Sequence, residues 1–506
     1  MPHGAVGPNR GGPGFQAATG LAFDLQSELN QHDCSPSPDR SKGPHSRAGG
    51  RSLHGAPEVP RTPHEGRARA MTRRQFIGAA AAGALATSAR PEATEGLTVL
   101  STEGCGRATA YPETNKIITL AGKTHVCWLD SPAEGFVARI ATLSHRRREW
   151  AGPFDLGEAF DNHGGPALAV DSRGILHTVY YPHHHPFRYR RSLAANDASA
   201  WSEETEFGER CTYPSMVCGS DDTLYLTCRE SSDARWGLHF YRKRPDAEWE
   251  GPLRLFEGHA PGGYIHLGAS LAIAPRTDRL HLGFHLYETG TGEMGYLVTY
   301  LTSADGGDTW TTSAGERMDL PAGPATVEPI AQSAATTGPE DHRAGNLVLD
   351  AEGRPWLTYT RWDGPPWRTH VAVLTGPGHW RRLDLLPAVE RAWPGHGIVT
   401  PGGATFGEDG QLHVVGVLLP NDLGGESHWG HSGAEVIWLA STDRGRSFQC
   451  RRLSPARPGI PDWLPSIERP TGHNLVGVPH VEWTHGHRGD SNAELLRNDV
   501  LFARLG

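Results

Sequence analysis

The sequence is poor in cysteine, in net positive charge and in long apolar segments. Seven cysteines among 506 residues are too few for a scaffold held together by disulfides. The 57 acidic residues outnumber the 48 lysines and arginines, for a formal net charge of −9. This balance argues against binding to nucleic acid or to an anionic membrane through bulk positive charge, so any anionic partner must be bound locally.

The motifs of several common enzyme classes are also missing. Beyond residue 90 there is no long apolar helical span, no glycine-rich phosphate loop before a helix, no His-Glu-x-x-His helix and no nucleophile elbow. Nucleotide chemistry and serine hydrolysis are therefore disfavoured. The 63 glycines and 39 prolines make up about a fifth of the chain, which is too rich in turns for a helical bundle.

Residues 1–70 are rich in Gly, Pro, Arg, His and Ser and have no apolar period. Such a segment cannot bury enough apolar surface to offset its chain entropy, which predicts disorder. An export signal follows this segment, and such a signal must lie near an amino terminus. We therefore interpret residues 1–70 as an upstream extension that is not part of the native protein.

Residues 71–89 have the pattern of a twin-arginine export signal. Arg73 and Arg74 precede an apolar, alanine-rich run, and small residues end the segment at Ala89. An ordinary alanine-rich helix is the alternative, but no residue of the segment is acidic. We expect export, with the methionine that opens the segment as initiator and residues 90–506 as a secreted chain that keeps no membrane attachment after cleavage.

The cysteines of the mature chain leave two interpretations open. Cys218 and Cys228 flank a predicted turn at residues 221–223 and could face each other across a hairpin, so a disulfide is one of them. Cys211 and Cys218 could instead bind a metal ion together with a nearby histidine, although their spacing matches no recognised zinc pattern.

One short sequence motif recurs along the mature chain. An acidic or glycine turn is followed by alternating Leu, His, aromatic and branched residues, which is the two-residue period of a β-strand. Copies recur about every 50 to 70 residues, as expected for a four-stranded propeller blade with variable loops. They begin at Gly122, Asp171, Asp221, Thr277, Asp350 and Glu408, and a terminal copy surrounds Val481. We therefore predict that residues 90–506 form an all-β, seven-bladed β-propeller that is the catalytic domain.

Two further motifs fit the Asp-box hairpin of sialidase-type propellers. They run from Ser303 to Trp310 and from Ser441 to Phe448. We expect a structural role, because an aspartate and glycines can shape a tight turn while the terminal aromatic ring packs between strands.

An unusual set of polar motifs lies in the region of the second and third repeats. They are Asn162-His-Gly-Gly-Pro166, Tyr180-Tyr-Pro-His-His-His-Pro-Phe187, Thr212-Tyr-Pro214 and Cys228-Arg-Glu230. These motifs flank predicted strands, and a hairpin could bring His163 and His183 to one edge. Loops and strand starts that face the centre of a propeller are expected to bind its ligands. We expect Arg229 at a strand edge, lining a wet cleft.

These motifs resemble those of the propeller polysaccharide lyases of the BNR-repeat type, the ulvan lyases and rhamnose-glucuronate lyases. The closing Pro465-Ser-Ile-Glu-Arg-Pro-Thr-Gly-His473 resembles that family as well. The resemblance implies that His163 and His183, twenty residues apart, are the paired active-site histidines. It further implies that Tyr213 is the catalytic tyrosine and Arg229 the arginine that neutralises a carboxylate. The connection from His183 to Tyr213 is shorter than is usual in the family.

The chemistry of elimination asks for the same residue types. A lyase removes the proton on C5 of a uronate and expels the oxygen on C4, so a cation must hold the carboxylate beside the developing carbanion. The permanent charge and bidentate fork of Arg229 suit that task. His163, His183 and Tyr213 can supply the general base and the general acid, and the sequence does not assign these two roles among them.

Each of these residues also has a structural interpretation. His163 could cap its turn, Tyr213 could be core, and Arg229 could form a surface ion pair with Glu230 or Asp233. Further residues that we expect to bind substrate, or a metal ion, are His184, His239, Tyr264 and His266. His473 and His480 fit either the inner rim of the last repeat or its core.

The sequence therefore predicts a secreted lyase that acts on an anionic, uronate-containing polysaccharide or oligosaccharide. A rhamnosidase-like or sialidase-like glycoside hydrolase on the same propeller is one alternative, but Asp161, Glu288 and Glu482 form no convincing carboxylate pair. A non-catalytic sugar-binding propeller, with the 15 tryptophans as stacking surfaces, is the other. The chemistry requires no cofactor, a calcium or zinc ion would be structural, and the protein is expected to be a monomer.

Overall fold

The computed structural model describes residues 96–231, 235–258, 265–288, 297–333, 341–399, 402–455 and 457–506. All of them belong to one compact unit. The predicted extension, the predicted export signal and Tyr264 lie outside the described residues. Within these ranges no helix has the length and apolar character needed to cross a bilayer.

The regular structure of the described residues is almost entirely β-strand. The amino-terminal strands are β1 (Thr98–Gly104), β2 (Ile117–Leu120), β3 (Lys123–Asp130), β4 (Phe136–Ser144), β5 (Glu149–Ala159), β6 (Ala167–Val170), β7 (Leu176–Tyr180), β8 (His185–Ala194), β9 (Asp197–Trp201), β10 (Thr205–Cys218), β11 (Leu224–Ser231), β12 (Trp236–Lys243) and β13 (Glu250–Glu257). The central strands are β14 (Ile265–His266), β15 (Ala269–Ile273), β16 (Leu280–Glu288), β17 (Leu297–Ser303), β18 (Pro329–Gln332), β19 (Asp341–Leu349), β20 (Pro355–Trp362), β21 (Arg368–Gly376) and β22 (His379–Asp384). Helix α1 (Leu386–Ala392) precedes β23 (His396–Val399), β24 (Ala404–Phe406), β25 (Leu412–Pro420), β26 (Glu435–Ser441), β27 (Gln449–Arg452), β28 (Asp462–Ile467), β29 (His480–His485) and β30 (Asn498–Arg504). The predicted all-β class is confirmed.

Consecutive strands form antiparallel meanders. Strands β2–β5, β6–β9, β15–β18, β19–β22 and β24–β27 each pair in chain order, as do β10–β13. Strand β10 also pairs with β8, which joins the second and third groups into one eight-stranded sheet. Strands that follow one another in sequence therefore pair locally, as the repeated period-two motifs predict.

The two ends of the described chain meet in one sheet. Strands β28, β29 and β30 pair in order, and β1 pairs with β30 from Thr98↔Phe502 to Gly104↔Asn498. The amino-terminal strand thus completes the carboxyl-terminal group, and it is also hydrogen-bonded to β3 of the first group.

The core lies between neighbouring sheets. All nine residues of β16 and all eight of β11 are buried, which is the pattern of strands covered on both faces. One apolar cluster joins residues of β10–β13 with residues of β15–β17 and with Trp310, which is fully buried. Packing between sheets, rather than within one sheet, therefore fills the interior.

The repeated histidines bind the strand that follows them. In four copies the imidazole Nδ1 lies within hydrogen-bond distance of a polar side chain on the next strand. The pairs are His125 with Thr142 (2.8 Å), His177 with Tyr189 (2.7 Å), His281 with Tyr300 (2.6 Å) and His413 with Trp438 (3.1 Å). Burial lowers the pKa of each of these imidazoles. Many histidines of this chain are therefore neutral structural links.

The two Asp-box motifs that begin at Ser303 and Ser441 form the same turn. The Asp305 carboxylate accepts hydrogen bonds from Ser303 and Thr309, and Asp443 does the same for Ser441 and Ser447. The indole of Trp310 donates to the Gly307 carbonyl at 3.1 Å and is fully buried. These contacts agree with a structural role.

The six cysteines in the described part of the chain are free thiols. Cys218 lies opposite Leu224 and Cys228 lies opposite His239 in the strand registers, so the two do not face each other. The disulfide interpretation is therefore excluded. Cys211 and Cys218 do not form a metal-ligating group together, although Cys218 lies near His473.

Candidate functional site

A carboxylate holds two imidazoles at the loop edge of β6 and β7. Asp161 and His163 precede β6, and His183 follows β7, so the β6–β7 hairpin brings them together. The Nδ1 of His163 lies 3.1 Å from one Asp161 oxygen, and the Nδ1 of His183 lies 2.6 Å from the other. The two rings stack with centroids 3.9 Å apart.

The hydrogen bonds to Asp161 locate one proton of each imidazole ring. A carboxylate only accepts hydrogen bonds, so each imidazole carries a proton on Nδ1. Burial opposes ionisation of Asp161, but the two histidines outweigh it and hold its pKa below the usual range. Burial, His163 and Arg229 lower the pKa of His183 to about 4. At neutral pH the pair is an ionised carboxylate with a neutral His183.

The segment between β1 and β2 contributes a cation and a phenol. Residues 108–116 of this irregular segment are buried beneath the sheets. The Nη1 of Arg107 lies in very close contact with the Nε2 of His163 and donates to the Tyr111 hydroxyl. A guanidinium only donates, so His163 accepts here, which agrees with the proton on its Nδ1.

Tyr213 and Arg229 lie beside the two histidines. Tyr213 sits at an irregularity of the β10–β11 pairing and has a backbone φ of +58°, a strained conformation for an aromatic residue. The Arg229 guanidinium lies over the Tyr213 ring at 4.5 Å, and the Tyr213 and His163 rings are 6.0 Å apart. The structure thus brings all four predicted catalytic residues into one cluster.

The environment of Arg229 differs from the prediction. Arg229 lies within β11 rather than at a wet strand edge, and it is fully buried. Its guanidinium is enclosed between the rings of Tyr213 and Trp236, which lie 4.5 and 4.9 Å away, and it donates to the Ile265 carbonyl. The expected open position is therefore wrong, because the flanking aromatic rings cover the charge.

A hydrogen-bonded chain reaches His266. The Ala344 amide donates to the Nδ1 of His285 at 3.1 Å, so the proton of His285 is on Nε2. That proton is donated to the Nδ1 of His266 at 2.9 Å, and burial lowers the pKa of His285 to about 3. Neutral His266 therefore carries its proton on Nε2, and its ring lies 4.8 Å from that of Tyr213.

The other predicted substrate-binding residues divide between the cluster and its surroundings. His184 stacks on His183 at 4.4 Å and bonds Ser231 through Nδ1 at 2.6 Å. His239 lies opposite Cys228 on β12 and thus on the face away from Arg229. Among the described residues, its polar neighbours are Arg254 and Glu230. The structure therefore brings His184 and His266, but not His239, to the cluster.

The remaining residues considered from sequence are accounted for by packing. The Nδ1 of His480 bonds buried Glu468 at 2.7 Å. Glu482 is fully buried and Lys116 is its nearest opposing charge; burial raises the pKa of this glutamate. Asp161 is engaged by two histidines. Glu288 is fully buried at the end of β16. The positions of Asp161, Glu288 and Glu482 therefore do not favour glycoside hydrolysis by a carboxylate pair.

The sequence interpretation missed an aromatic and basic wall. Arg107 lies 5.8 Å above the Trp429 ring, which stacks with Tyr111 at 6.5 Å and meets Trp463 edge-on at 5.1 Å. Half-buried Trp429 offers a surface on which a sugar ring could stack. Arg107 and Tyr111 occur in no repeat, so only their closeness to His163 reveals them.

The same cluster contains a group that could hold a cation. Ligand atoms of Asp161, His163 and His183 all lie within 4.8 Å of one another. However, both Nδ1 protons point at the carboxylate, so a metal ion could bind only through the Nε2 atoms or after loss of these hydrogen bonds. The geometry favours a proton-transfer site over a metal site.

Comparisons with known proteins show which family and which relatives the chain resembles. A family model described as "BNR repeat-containing family member" matches residues 121–386. The ulvan lyase-PL25 of Pseudoalteromonas sp. (strain PLSV) is 22% identical over 322 residues, or 52% of this chain and 62% of that protein. The ulvan lyase of Nonlabens ulvanivorans is 26% identical over 155 residues, or 26% of this chain and 32% of that protein. The chain thus spans less than two thirds of the length of these relatives.

Solved structures show the shared fold. A structure of a PL25 ulvan lyase superposes with a TM-score of 0.61 at 17% identity, covering 81% of this chain and 95% of that chain. A second structure of that kind is bound to -[GlcA(1-4)Rha3S]- and gives the same values. The polysaccharide lyase Uly1 gives a TM-score of 0.51 at 14% identity, covering 81% of this chain and 98% of that chain.

Proposed function

The chain belongs to the BNR repeat-containing family, and we propose that it is a polysaccharide lyase. It would cleave the bond to C4 of a uronic acid by β-elimination in an anionic glycan of the ulvan or rhamnose-glucuronate type. The Asp161 carboxylate that orients His163 and His183 beside Tyr213 and Arg229 is the observation that carries this proposal. The ulvan lyases among its relatives support it.

We also propose that the meanders are the blades of a seven-bladed propeller. Six groups of four strands, from β2–β5 to β24–β27, follow one another along the chain, and β28–β30 with β1 make a seventh. The pairing of β1 with β30 would close the ring through both ends of the domain. Arg469 supports a common centre, because its guanidinium donates to the carbonyls of Leu271 in β15, of Leu347 in β19 and of Glu113 in the segment before β2.

Elimination requires a base, an acid and a cation. The base takes the C5 proton, the electron pair of that C–H bond forms the C4=C5 double bond, and the bond from C4 to its oxygen breaks. The leaving oxygen takes a proton from the acid. His163, His183 and Tyr213 form the proton-transfer set. The Nε2 of His183 keeps a lone pair, the Nε2 of His163 accepts from Arg107, and the phenol can donate or accept.

Arg229 and Arg107 supply positive charge on two sides of this set. The substrate carboxylate must delocalise the negative charge that develops at C5, and a nearby guanidinium stabilises that charge most in a water-poor site. Arg229 is fully buried behind Tyr213, so its charge acts on the carboxylate or on a transient phenolate. Arg107 contacts His163 and is the second cation.

His266 would act as a fixed hydrogen-bond donor. Its Nδ1 accepts a hydrogen bond from His285, so Nε2–H is the donating group of this ring. A donor with a set tautomer can bind a hydroxyl or the leaving oxygen without competing as a base. His285 is then a positioning residue.

Two other functions remain alternatives. A glycoside hydrolase would need two flanking carboxylates or a tyrosine nucleophile with an arginine cluster, and Asp161 is already committed to two histidines. A non-catalytic lectin would use Trp429 and Trp463 as stacking surfaces but would not need a shared carboxylate between imidazoles. The proton-transfer arrangement therefore favours the lyase.

The proposal is tested by exposing the purified chain to a panel of uronate glycans, with ulvan among them. We expect ultraviolet absorbance from a new C4=C5 double bond with at least one glycan. Tyr213→Phe should slow its formation by at least 10²-fold, because one proton-transfer group typically contributes that much. Tyr189→Phe is the matched control, since the Tyr189 hydroxyl bonds His177 away from the cluster. Retained sugar binding without any product would favour the lectin.

A further inference from the structure

A second group of ligating side chains lies far along β10 from Tyr213. Cys218 ends β10, Asp222 lies in the hairpin to β11, and His473 lies in the loop after β28. The site thus joins two parts of the chain that are distant in sequence. At about 3.3 Å per strand residue, the stretch of β10 between Tyr213 and Cys218 places this site roughly 17 Å from Tyr213.

The donor atoms converge within the span of one ion. The Cys218 Sγ, an Asp222 carboxylate oxygen and a His473 nitrogen all lie within 4.8 Å of one another. The Nε2 of His473 is 3.4 Å from Asp222 Oδ1 and 2.8 Å from the Gly219 carbonyl oxygen. That carbonyl oxygen is 3.7 Å from the Cys218 sulfur. In a tetrahedral zinc site, sulfur and nitrogen ligands stand about 3.6 Å apart.

The backbone around these donors is built for close approach. A Cβ on Gly472 would meet the Cys218 carbonyl oxygen at 2.3 Å, so only glycine fits beside β10 there. The Cys218 amide donates to the Thr471 carbonyl at 2.8 Å. The loop that carries His473 is therefore held directly against the strand that carries Cys218.

The carboxylate is oriented from outside the group. Ser172 donates to Asp222 through its amide at 2.7 Å and through its hydroxyl at 2.8 Å. Metal-binding carboxylates are commonly held by such hydrogen bonds, which fix the ligand and maintain its charge. Asp222 also lines a surface cavity of about 360 Å³.

The local field favours a cation. Cys218 is almost completely buried, and the carboxylates of Asp222, Asp171, Asp221 and Asp278 bring negative charge to its surroundings. A divalent ion would bind the thiolate directly and offset the negative charge of these carboxylates.

We propose that Cys218, Asp222, His473 and the Gly219 carbonyl bind a structural divalent metal ion, with Zn²⁺ as the best match. A thiolate and an imidazole select zinc over calcium or magnesium, and four donors suit its tetrahedral preference. The ion would fasten the loop after β28 to the β10–β11 hairpin. Its function is independent of the proposed lyase chemistry, because the site is remote from Tyr213.

The full chain, stripped with a chelator, is dialysed against Zn²⁺ alone, and bound metal is measured by mass spectrometry. We expect one ion per chain, and an at least 100-fold weaker affinity in Cys218→Ser and in His473→Asn. Cys450→Ser and His379→Asn are matched controls, because Cys450 is a half-buried free thiol elsewhere and His379 is exposed. Zn²⁺ should raise the unfolding temperature of the wild type and the controls but not of the two ligand variants.

Substitution by Co²⁺ gives a readout that does not depend on the Cys218→Ser variant. The wild type should show the ultraviolet charge-transfer band of a cobalt–thiolate bond, and His473→Asn should lose it. If Cys218→Ser fails to fold, this pair of spectra decides the question. The proposal is overturned if the wild type binds less than a tenth of an equivalent, or if His473→Asn binds Zn²⁺ as the wild type does. In that case the His473 Nε2–H only donates to the Gly219 carbonyl and Asp222.

Discussion

Replacing Asp161 by asparagine should disable the proton-transfer set without removing any proton-transfer group. Asp161 accepts the Nδ1 protons of His163 and His183 on separate oxygens, at 3.1 and 2.6 Å. An asparagine side chain offers one oxygen and one NH₂ donor. One imidazole must then turn its lone pair to the NH₂ group and move its proton to Nε2, where it can no longer accept.

The expected loss follows from this tautomer change. In the Ser-His-Asp triad, the same substitution in a buried Asp–His pair costs about 10⁴-fold in kcat. Here one of two imidazoles keeps its tautomer, so we expect a fall in kcat of about 10³- to 10⁴-fold, or roughly 4 to 5.5 kcal/mol. KM should change little, because Asp161 is nearly buried and is not placed to bind the sugar.

The assay is the initial rate of double-bond absorbance, with circular dichroism to check folding. Asp171→Asn is the matched control, since Asp171 is a buried carboxylate 3.6 Å from His177 in the same sheet but away from the cluster. The control should lose stability and keep kcat within about twofold. A folded Asp161→Asn enzyme with more than a tenth of the wild-type kcat would refute the shared-carboxylate mechanism.

Three further outcomes are expected. Arg229→Met should keep the buried volume but lower kcat by about 10²- to 10³-fold, as for one lost preorganised donor, and a variant with over a tenth of wild-type kcat would exclude the clamp role. Burial lowers the pKa of His125 to about 4 and of His281 to about 3, below the unfolded value of about 6.5. The unfolded state thus binds more protons below pH 6.5, so the unfolding temperature should fall from pH 7 to pH 4.5; an unchanged temperature would contradict this. Joint Arg73→Lys and Arg74→Lys substitution should abolish export, and full secretion of that variant would show that the signal interpretation is wrong.

The repeated period-two motifs are sufficient to predict the strands. In the motif Leu280-His-Leu-Gly-Phe284 the local alternation of residue types predicts a strand, and these residues lie in β16. The proximity of His163 and His183 was also predictable, because one short hairpin separates them. Local sequence determines both features, so no distant contact was needed.

Other features of the site depend on distant packing. Arg107 lies in a segment without period and becomes significant only because that segment passes beside His163. The burial of Arg229 depends on Trp236 and Tyr213, which come from neighbouring strands. His239 lies on the far face because strand alternation places it with Cys228. Such facts follow from register and packing between sheets, which composition and spacing do not specify.

The central claim is elimination rather than hydrolysis, and cleavage in oxygen-18 water tests it most directly. Elimination breaks the bond between C4 and its oxygen without an attacking water, so mass spectrometry should find an unsaturated uronate and no incorporated label. Hydrolysis adds one water across the bond. A saturated product that carries oxygen-18 would contradict the lyase and establish a hydrolase in its place.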